Sequence, residues 1–146
     1  MEKPSCLIIC FISLLSISIH AQDHKITIQK NSAVFIEYLT PAAALLDEDN
    51  FTLEMTSLDQ KHSLVLNLFP FGREEYPLST EGIEGGGILM LLSDELSTPL
   101  TFDTGIFKLL QSEANRFSFS LSGKKNTGAD AFSVEINLDN IPLRKL

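Results

Sequence analysis

Apolar and polar residues alternate along much of the chain, and this alternation predicts β-strands. The clearest case is residues 116–122, where phenylalanine and leucine alternate with serine. The same pattern occurs at residues 51–56 and 63–69. A period of two residues is typical of a strand with one face buried and the other in water. These segments therefore predict half-buried strands.

Further segments of this kind recur about every ten residues, with turns rich in Gly, Asn, Asp and Ser between them. They lie at residues 25–29, 33–39, 88–92, 100–102, 106–110 and 131–138, and a short, edge-like extended piece lies at 76–79. Together they make about nine short strands. Such spacing predicts an all-β fold, an antiparallel β-sandwich, with a small β-barrel as the alternative.

Some segments depart from simple alternation. Residues 88–92 (ILMLL) are a continuous apolar run, which predicts a strand buried on both faces. Residues 41–46 predict a short helical piece, because proline is tolerated at the first helical position. The glycine-rich residues 82–87 predict a flexible loop or hairpin, and residues 123–130 predict an exposed turn.

The N-terminus predicts an export signal. Residues 7–19 form an apolar run that is shorter than the roughly 20 residues of a membrane-spanning helix. A small residue, Ala21, precedes a polar stretch, so cleavage is expected after it. This leaves residues 22–146 as one domain in the secreted, periplasmic or cell-envelope space. An uncleaved N-terminal anchor is the alternative.

Both cysteines fall within this signal. Cys6 and Cys10 would be lost on cleavage, so the mature domain would have no disulfide, thiolate metal site or cysteine nucleophile. Lipid attachment at Cys10 is not expected, because the bulky Ile9 precedes it and the apolar run continues beyond it.

The chain is acidic, with a formal net charge of −8 among 146 residues. An acidic surface repels nucleic acid and anionic lipid. We therefore expect no nucleic-acid partner, and a role for the membrane only as an export route or a weak surface contact. A protein or a glycan is the expected partner.

The nearest approach to a cofactor site is an acidic turn. Asp47, Asp49 and Asn50 supply the hard oxygen ligands that calcium prefers, but they lack the spaced pattern and distal glutamate of a calcium loop. A solvated turn is the simpler interpretation, and we expect no cofactor. Phe69 and Phe71, which flank Pro70, are candidate anchors for a partner, with core burial as the alternative.

No catalytic motif stands out. His24 and His62 lie in polar segments without a third metal ligand, and no G-x-S-x-G elbow occurs. Glu74–Glu75 and Glu81–Glu84 could form a glycosidase pair only if the fold brought two carboxylates together. We therefore expect a non-enzymatic binding module. The alternatives are a lipocalin-like carrier of a small apolar ligand and a small secreted hydrolase.

The order of elements from residue 51 to residue 143 resembles a group of small secreted or lipid-anchored β-sandwich proteins of Bacteroidetes. The similarity is carried by the strand pair FTLEMT and SLVLNLF, by Tyr76-Pro77-Leu78, and by the closing INLDNIPL. The chain departs from the group in lacking its lipobox and the usual glycine of its last strand. The resemblance implies a bacterial cell-envelope location and a β-sandwich, and it implies no catalytic residues.

Overall fold

The computed structural model describes residues 26–146, which form eleven strands and no helix. The strands are β1 (Ile26–Lys30), β2 (Ala33–Pro41), β3 (Ala44–Asp47), β4 (Asn50–Thr56), β5 (His62–Phe69), β6 (Glu75–Pro77), β7 (Gly86–Ser93), β8 (Leu100–Thr101), β9 (Thr104–Ser112), β10 (Arg116–Asn126) and β11 (Ala131–Lys145). The all-β fold predicted from the sequence is confirmed, with more strands than the nine expected. The predicted export signal, both cysteines and His24 lie outside the described residues.

The strands form two layers joined by two long strands. Hydrogen bonds run in the order β6-β9-β10-β11-β1-β2-β4-β5-β7-β8, and β3 pairs with both β11 and β4. β2 passes from one layer to the other, since it pairs with β1 and then, at its end, with β4. β11 does the same, pairing with β10 and β1 and finally with β3. The first layer is β1, β6, β9, β10 and most of β11; the second is β3, β4, β5, β7 and β8.

Aromatic side chains fill the space between the layers. Phe51 of the second layer meets Phe117 of the first edge to face, with ring centroids 5.3 Å apart. Phe119 stacks on Phe107 at 5.1 Å and on Phe117 at 5.5 Å. All four rings are buried. Offset and edge-to-face contacts of this kind add to the stabilisation from apolar burial.

Two glycines let β9, β10 and the second layer approach closely. Gly105 and Gly123 are paired residues of β9 and β10. Gly105 has a φ of +143°, and a Cβ there would overlap the carbonyl oxygen of Ser122. A Cβ on Gly123 would lie 3.1 Å from Leu89 of β7 and 3.2 Å from Phe102. Glycine is required at position 105, where a Cβ would collide with the backbone, and at position 123 a Cβ would press against the side chains of Leu89 and Phe102.

The helical piece predicted at residues 41–46 is wrong, because Ala44–Asp47 forms β3. This strand pairs in parallel with Leu143–Lys145 at the end of β11, and it pairs antiparallel with β4. Both ladders satisfy backbone groups that a short helical turn would leave unpaired. Within residues 26–146 there is no helix with the length and apolar character needed to cross a membrane.

Two predicted loops are shorter than expected. Gly86 and Gly87 belong to β7 and pair with Phe69 and Leu68 of β5. Residues 123–126 continue β10 and pair with β11. The predicted loop at 82–87 and the predicted turn at 123–130 are therefore wrong at these positions. Glycine in a strand here reflects close packing rather than flexibility.

Candidate functional site

The outward side of the second layer carries a group of side chains without charge. We call this surface the neutral face. Its members lie on β5, β7 and β8, and none is Asp, Glu, Lys or Arg. They are Ser63, Val65, Asn67, Phe69, Ile88, Met90, Leu92 and Thr101.

The strand register places the apolar members side by side. Val65 lies opposite Met90, and Met90 lies opposite Thr101 on its other side. Ile88 lies opposite Asn67, one row away. Paired side chains on one face of a sheet contact each other directly. The neutral face is therefore a continuous surface with an apolar centre.

β7 corrects one prediction from the sequence. Its run of apolar residues indicated burial on both faces, but only the inward Leu89 and Leu91 are fully buried. Ile88 and Met90 are half-buried, and Leu92 is 39% exposed. The described part of the chain places no second layer over the outward side. β7 is therefore as apolar as a strand buried on both faces, although only its inward face is covered.

Polar groups beside this surface are already paired with each other. The Thr52 hydroxyl donates a hydrogen bond to Oδ1 of Asn67 at 2.9 Å. The Ser63 hydroxyl donates to the Glu54 carboxylate at 3.2 Å and lies 3.3 Å from the Thr56 hydroxyl. A polar group that already has a partner costs less to remove from water than an unpaired one. The border of the neutral face is therefore suited to being covered.

A shallow cleft of about 140 Å³ opens at the Phe69 end of the neutral face. Phe69 is 45% exposed and Ile83, in the loop before β7, is 57% exposed. Asn50, Asn67 and Gly86 complete much of its wall. The cleft thus combines apolar surface with side-chain amides.

The structure separates the two phenylalanines that the sequence suggested as anchors. Phe71 packs against the core, stacked on Phe51 with ring centroids 4.7 Å apart and planes 8° apart. It also meets Phe117 edge to face at 6.5 Å. Phe69 lies at the surface, on the neutral face. A binding role for either residue stays a prediction, and the geometry favours Phe69.

Tyr76 holds the loop between these phenylalanines and β6. Its buried hydroxyl donates to the carbonyl oxygen of Pro70 at 2.6 Å and accepts from the backbone N–H of Arg73 at 2.8 Å. Burial raises the pKa of the Tyr76 hydroxyl, and hydrogen bonds from the backbone of Arg73 and Gly72 oppose that rise in part. The phenol therefore stays neutral and keeps its donated hydrogen bond at ordinary pH.

The acidic turn suggested as a calcium site is a tight hairpin between β3 and β4. Asp47 and Asn50 are paired residues, and Glu48 in the turn has a φ of 53°. Asp47, Asp49 and Asn50 are all exposed. In residues 26–146, no group of three or more His, Cys, Asp or Glu side chains converges so as to hold a metal ion. The calcium site stays a prediction that the geometry does not support.

The remaining titratable candidates lie at the surface or in local hydrogen bonds. Nδ1 of His62 lies 2.7 Å from the Ser93 hydroxyl. Glu75 forms an ion pair with Lys108 at 3.5 Å, and Glu74, Glu81 and Glu84 are exposed. A hydrogen bond from the Ser57 hydroxyl and one from the backbone of Lys61 lower the pKa of Asp59. These interactions fix turns and strand ends.

The outward side of the first layer differs from the neutral face. We call it the polar face, and it consists of outward side chains of β1, β10 and β11. Its members are Thr27, Gln29, Ser120, Ser122, Lys124, Ser133, Glu135 and Asn137. They are hydroxyl, amide and charged groups, which remain hydrated at a free surface.

Comparison of the chain with protein-family models, with curated proteins and with solved structures finds no match. The resemblance to envelope β-sandwich proteins of Bacteroidetes therefore stays a prediction from the sequence.

The sequence contained signals of the neutral face that the alternation pattern did not use. The outward positions of β10 in the first layer include Ser120 and Ser122. The outward positions of β5 include Val65 and Phe69, and those of β7 include Ile88 and Met90. These apolar residues form one surface because β5 and β7 are neighbours in the sheet, although the glycine-rich segment separates them in the sequence.

Proposed function

We propose that this protein is an exported, non-enzymatic interaction protein of the cell envelope or extracellular space, and that it binds its partner through the neutral face. One observation carries the proposal. β7 is apolar on both sides, and its outward side chains Ile88, Met90 and Leu92 have no covering layer within residues 26–146.

An exposed apolar surface bordered by polar groups is typical of an interaction site. Covering half-buried aliphatic side chains favours a complex because it removes apolar area from water, and this gain must exceed the entropy lost on association. The absence of charge on this face means that no unpaired charge would be buried with it. Export, which the N-terminal pattern predicts, would place such a surface among envelope or extracellular partners.

The packing of the core favours binding at an outer face over binding of a ligand inside the domain. Phe51, Phe107, Phe117 and Phe119 pack against one another between the layers. An apolar ligand at the centre of the domain would have to displace these rings. Interaction at an outer face requires no such rearrangement.

Site-specific photo-crosslinking in the native host tests the proposal. A benzophenone-bearing amino acid would replace Phe69 or Leu92 on the neutral face, and Ser122 on the polar face as the control. We expect discrete adducts from the first two positions and none from Ser122. Equal adducts from all three positions, or none from any, would contradict the proposal. Robust hydrolysis of esters, peptides or glycosides by the pure protein would contradict its non-enzymatic part.

A further inference from the structure

We propose that the partner of the neutral face is the neutral face of a second copy of this chain, so that two molecules pack as a face-to-face dimer. This inference rests on the proposed function of that face and names its occupant. The contacts would run between the central Val65 and Met90 of one copy and the same residues of the other. A two-fold interface of this kind joins the same patch on both subunits.

Charge favours this occupant. The chain has a formal net charge of −8, so two copies repel each other over most of their surfaces. The neutral face is a surface on which copies can meet without placing carboxylates opposite each other. A basic partner would be expected to bind a face that carries acidic groups. Here the nearest one, Glu54 of β4, lies opposite Val65 and already accepts hydrogen bonds from Ser63 and Thr56.

The size of the face suits a weak dimer. With strands about 4.8 Å apart and about 3.4 Å of rise per residue, the outward side of β5, β7 and β8 covers roughly 300 Å² in projection. The exposed Phe69 and Ile83 extend it at one end. Interfaces below about 1,200 Å² in total are typical of weak, transient association.

Face-to-face packing is favoured because the edges of the sheet are poorly suited to pairing with another chain. The end strands of the sheet order, β6 and β8, are three and two residues long. Very short edge strands disfavour pairing with another chain. Faces of two sheets pack about 10 Å apart, as the two layers of this domain already do.

Sedimentation equilibrium of the purified protein, expressed from its complete sequence, tests the proposal between about 1 μM and 1 mM. We expect the mass to rise toward twice the monomer value across this range, with a dissociation constant on the order of tens to hundreds of micromolar, as a small interface allows. Raising the salt concentration should strengthen the dimer, because salt screens the repulsion between acidic copies.

Met90→Lys should weaken dimerisation by about a hundredfold or more, since it places two like charges together at the centre of the interface. Ser122→Lys makes the same change of charge on the polar face and should leave the dissociation constant unchanged. Leu92→Lys, at a more exposed position of the neutral face, gives a second test if Met90→Lys does not fold, and should weaken the dimer about tenfold or more.

A protein that stays monomeric at 1 mM would overturn the inference, as would equal effects of the Met90 and Ser122 variants, or a dimer that weakens with salt. The crosslinking experiment separates this failure from failure of the proposed function. Adducts of Phe69 or Leu92 to a different molecule, together with a monomer in solution, would overturn the dimer and support the interaction surface. No adduct and no dimer would overturn both.

Discussion

The two outer surfaces of this domain follow the same alternation of side chains but differ in chemistry. On β10 the outward positions are Ser120 and Ser122, whereas on β5 and β7 the corresponding positions include Val65 and Met90. Alternation decides which side of a strand faces the core. The identity of the outward residues then indicates whether that side remains in water or is covered by a partner.

Charge sharpens the comparison between the faces. The polar face carries Lys124 and Glu135, while the neutral face carries no ionised side chain. Charged groups on an outward strand position keep a surface soluble and oppose its burial. The polar face is therefore suited to remain free, and it supplies matched control positions for every change made on the neutral face.

The largest effect should come from the core that both faces share. Phe119 lies beneath the polar face and stacks on Phe107 and Phe117. Phe119→Ala should lower the free energy of unfolding by about 3–5 kcal/mol, since it leaves a cavity between the layers. Urea denaturation followed by two spectroscopic probes measures this. Ser120→Ala, its outward neighbour, should change stability by less than about 0.5 kcal/mol. Separate transitions for the two probes would show that the layers do not share one core.

An intermediate effect should distinguish the two phenylalanines at the end of the neutral face. Phe71→Ala should lower the free energy of unfolding by about 2 kcal/mol, because the ring is partly buried and stacked on Phe51. Phe69→Ala should cost less than about 1 kcal/mol, because nearly half of its surface is exposed. Thermal unfolding of both variants checks this order. A larger loss at Phe69 would contradict the assignment of Phe69 to the surface.

A smaller effect should come from the loop next to the neutral face. Tyr76→Phe removes the hydroxyl that joins Pro70 and Arg73, and should lower the free energy of unfolding by about 1–2 kcal/mol at pH 7. Because the folded pKa of Tyr76 is raised, its contribution is complete below the unfolded pKa of about 10. It is lost as pH rises through the folded pKa.

Urea unfolding of both proteins between pH 7 and pH 11 measures this dependence. The stability difference between wild type and Tyr76→Phe should stay constant up to about pH 10 and shrink above it. A difference that grows above pH 10 would mean that the hydroxyl is not shielded from water as the structure indicates.

Local pattern was sufficient to predict the strands that alternate cleanly, such as β4, β5 and β10. It failed at β3, where an alanine-rich segment after Pro41 resembles a helix start. Ala44–Asp47 becomes a strand because it pairs on one side with β4 in a tight hairpin and on the other with Leu143–Lys145, about 100 residues later in the chain. No window of neighbouring residues contains the second partner, so helical propensity was overridden by pairing on both sides.

The candidate site was predicted only in part. Phe69 and Phe71 look equivalent in the sequence, since each is a phenylalanine beside Pro70. The chain turns at Pro70–Gly72 so that one ring joins the neutral face and the other stacks on Phe51. Phe71 points inward because it stacks on Phe51, and their distance in the sequence does not indicate that contact.

The position of β11 has a consequence for how the chain acquires its structure during synthesis. β1 pairs with β2 directly after it, but its second neighbour is β11, and the backbone N–H of Ala131 donates to Asn31, 100 residues apart. β3 depends on the very end of the same strand. Contacts of such long range make folding slow, and the sheet cannot close while its last strand is still being made. A nascent chain of this design remains open until nearly all of it has emerged, which is the condition in which a polypeptide can be threaded through a translocation channel.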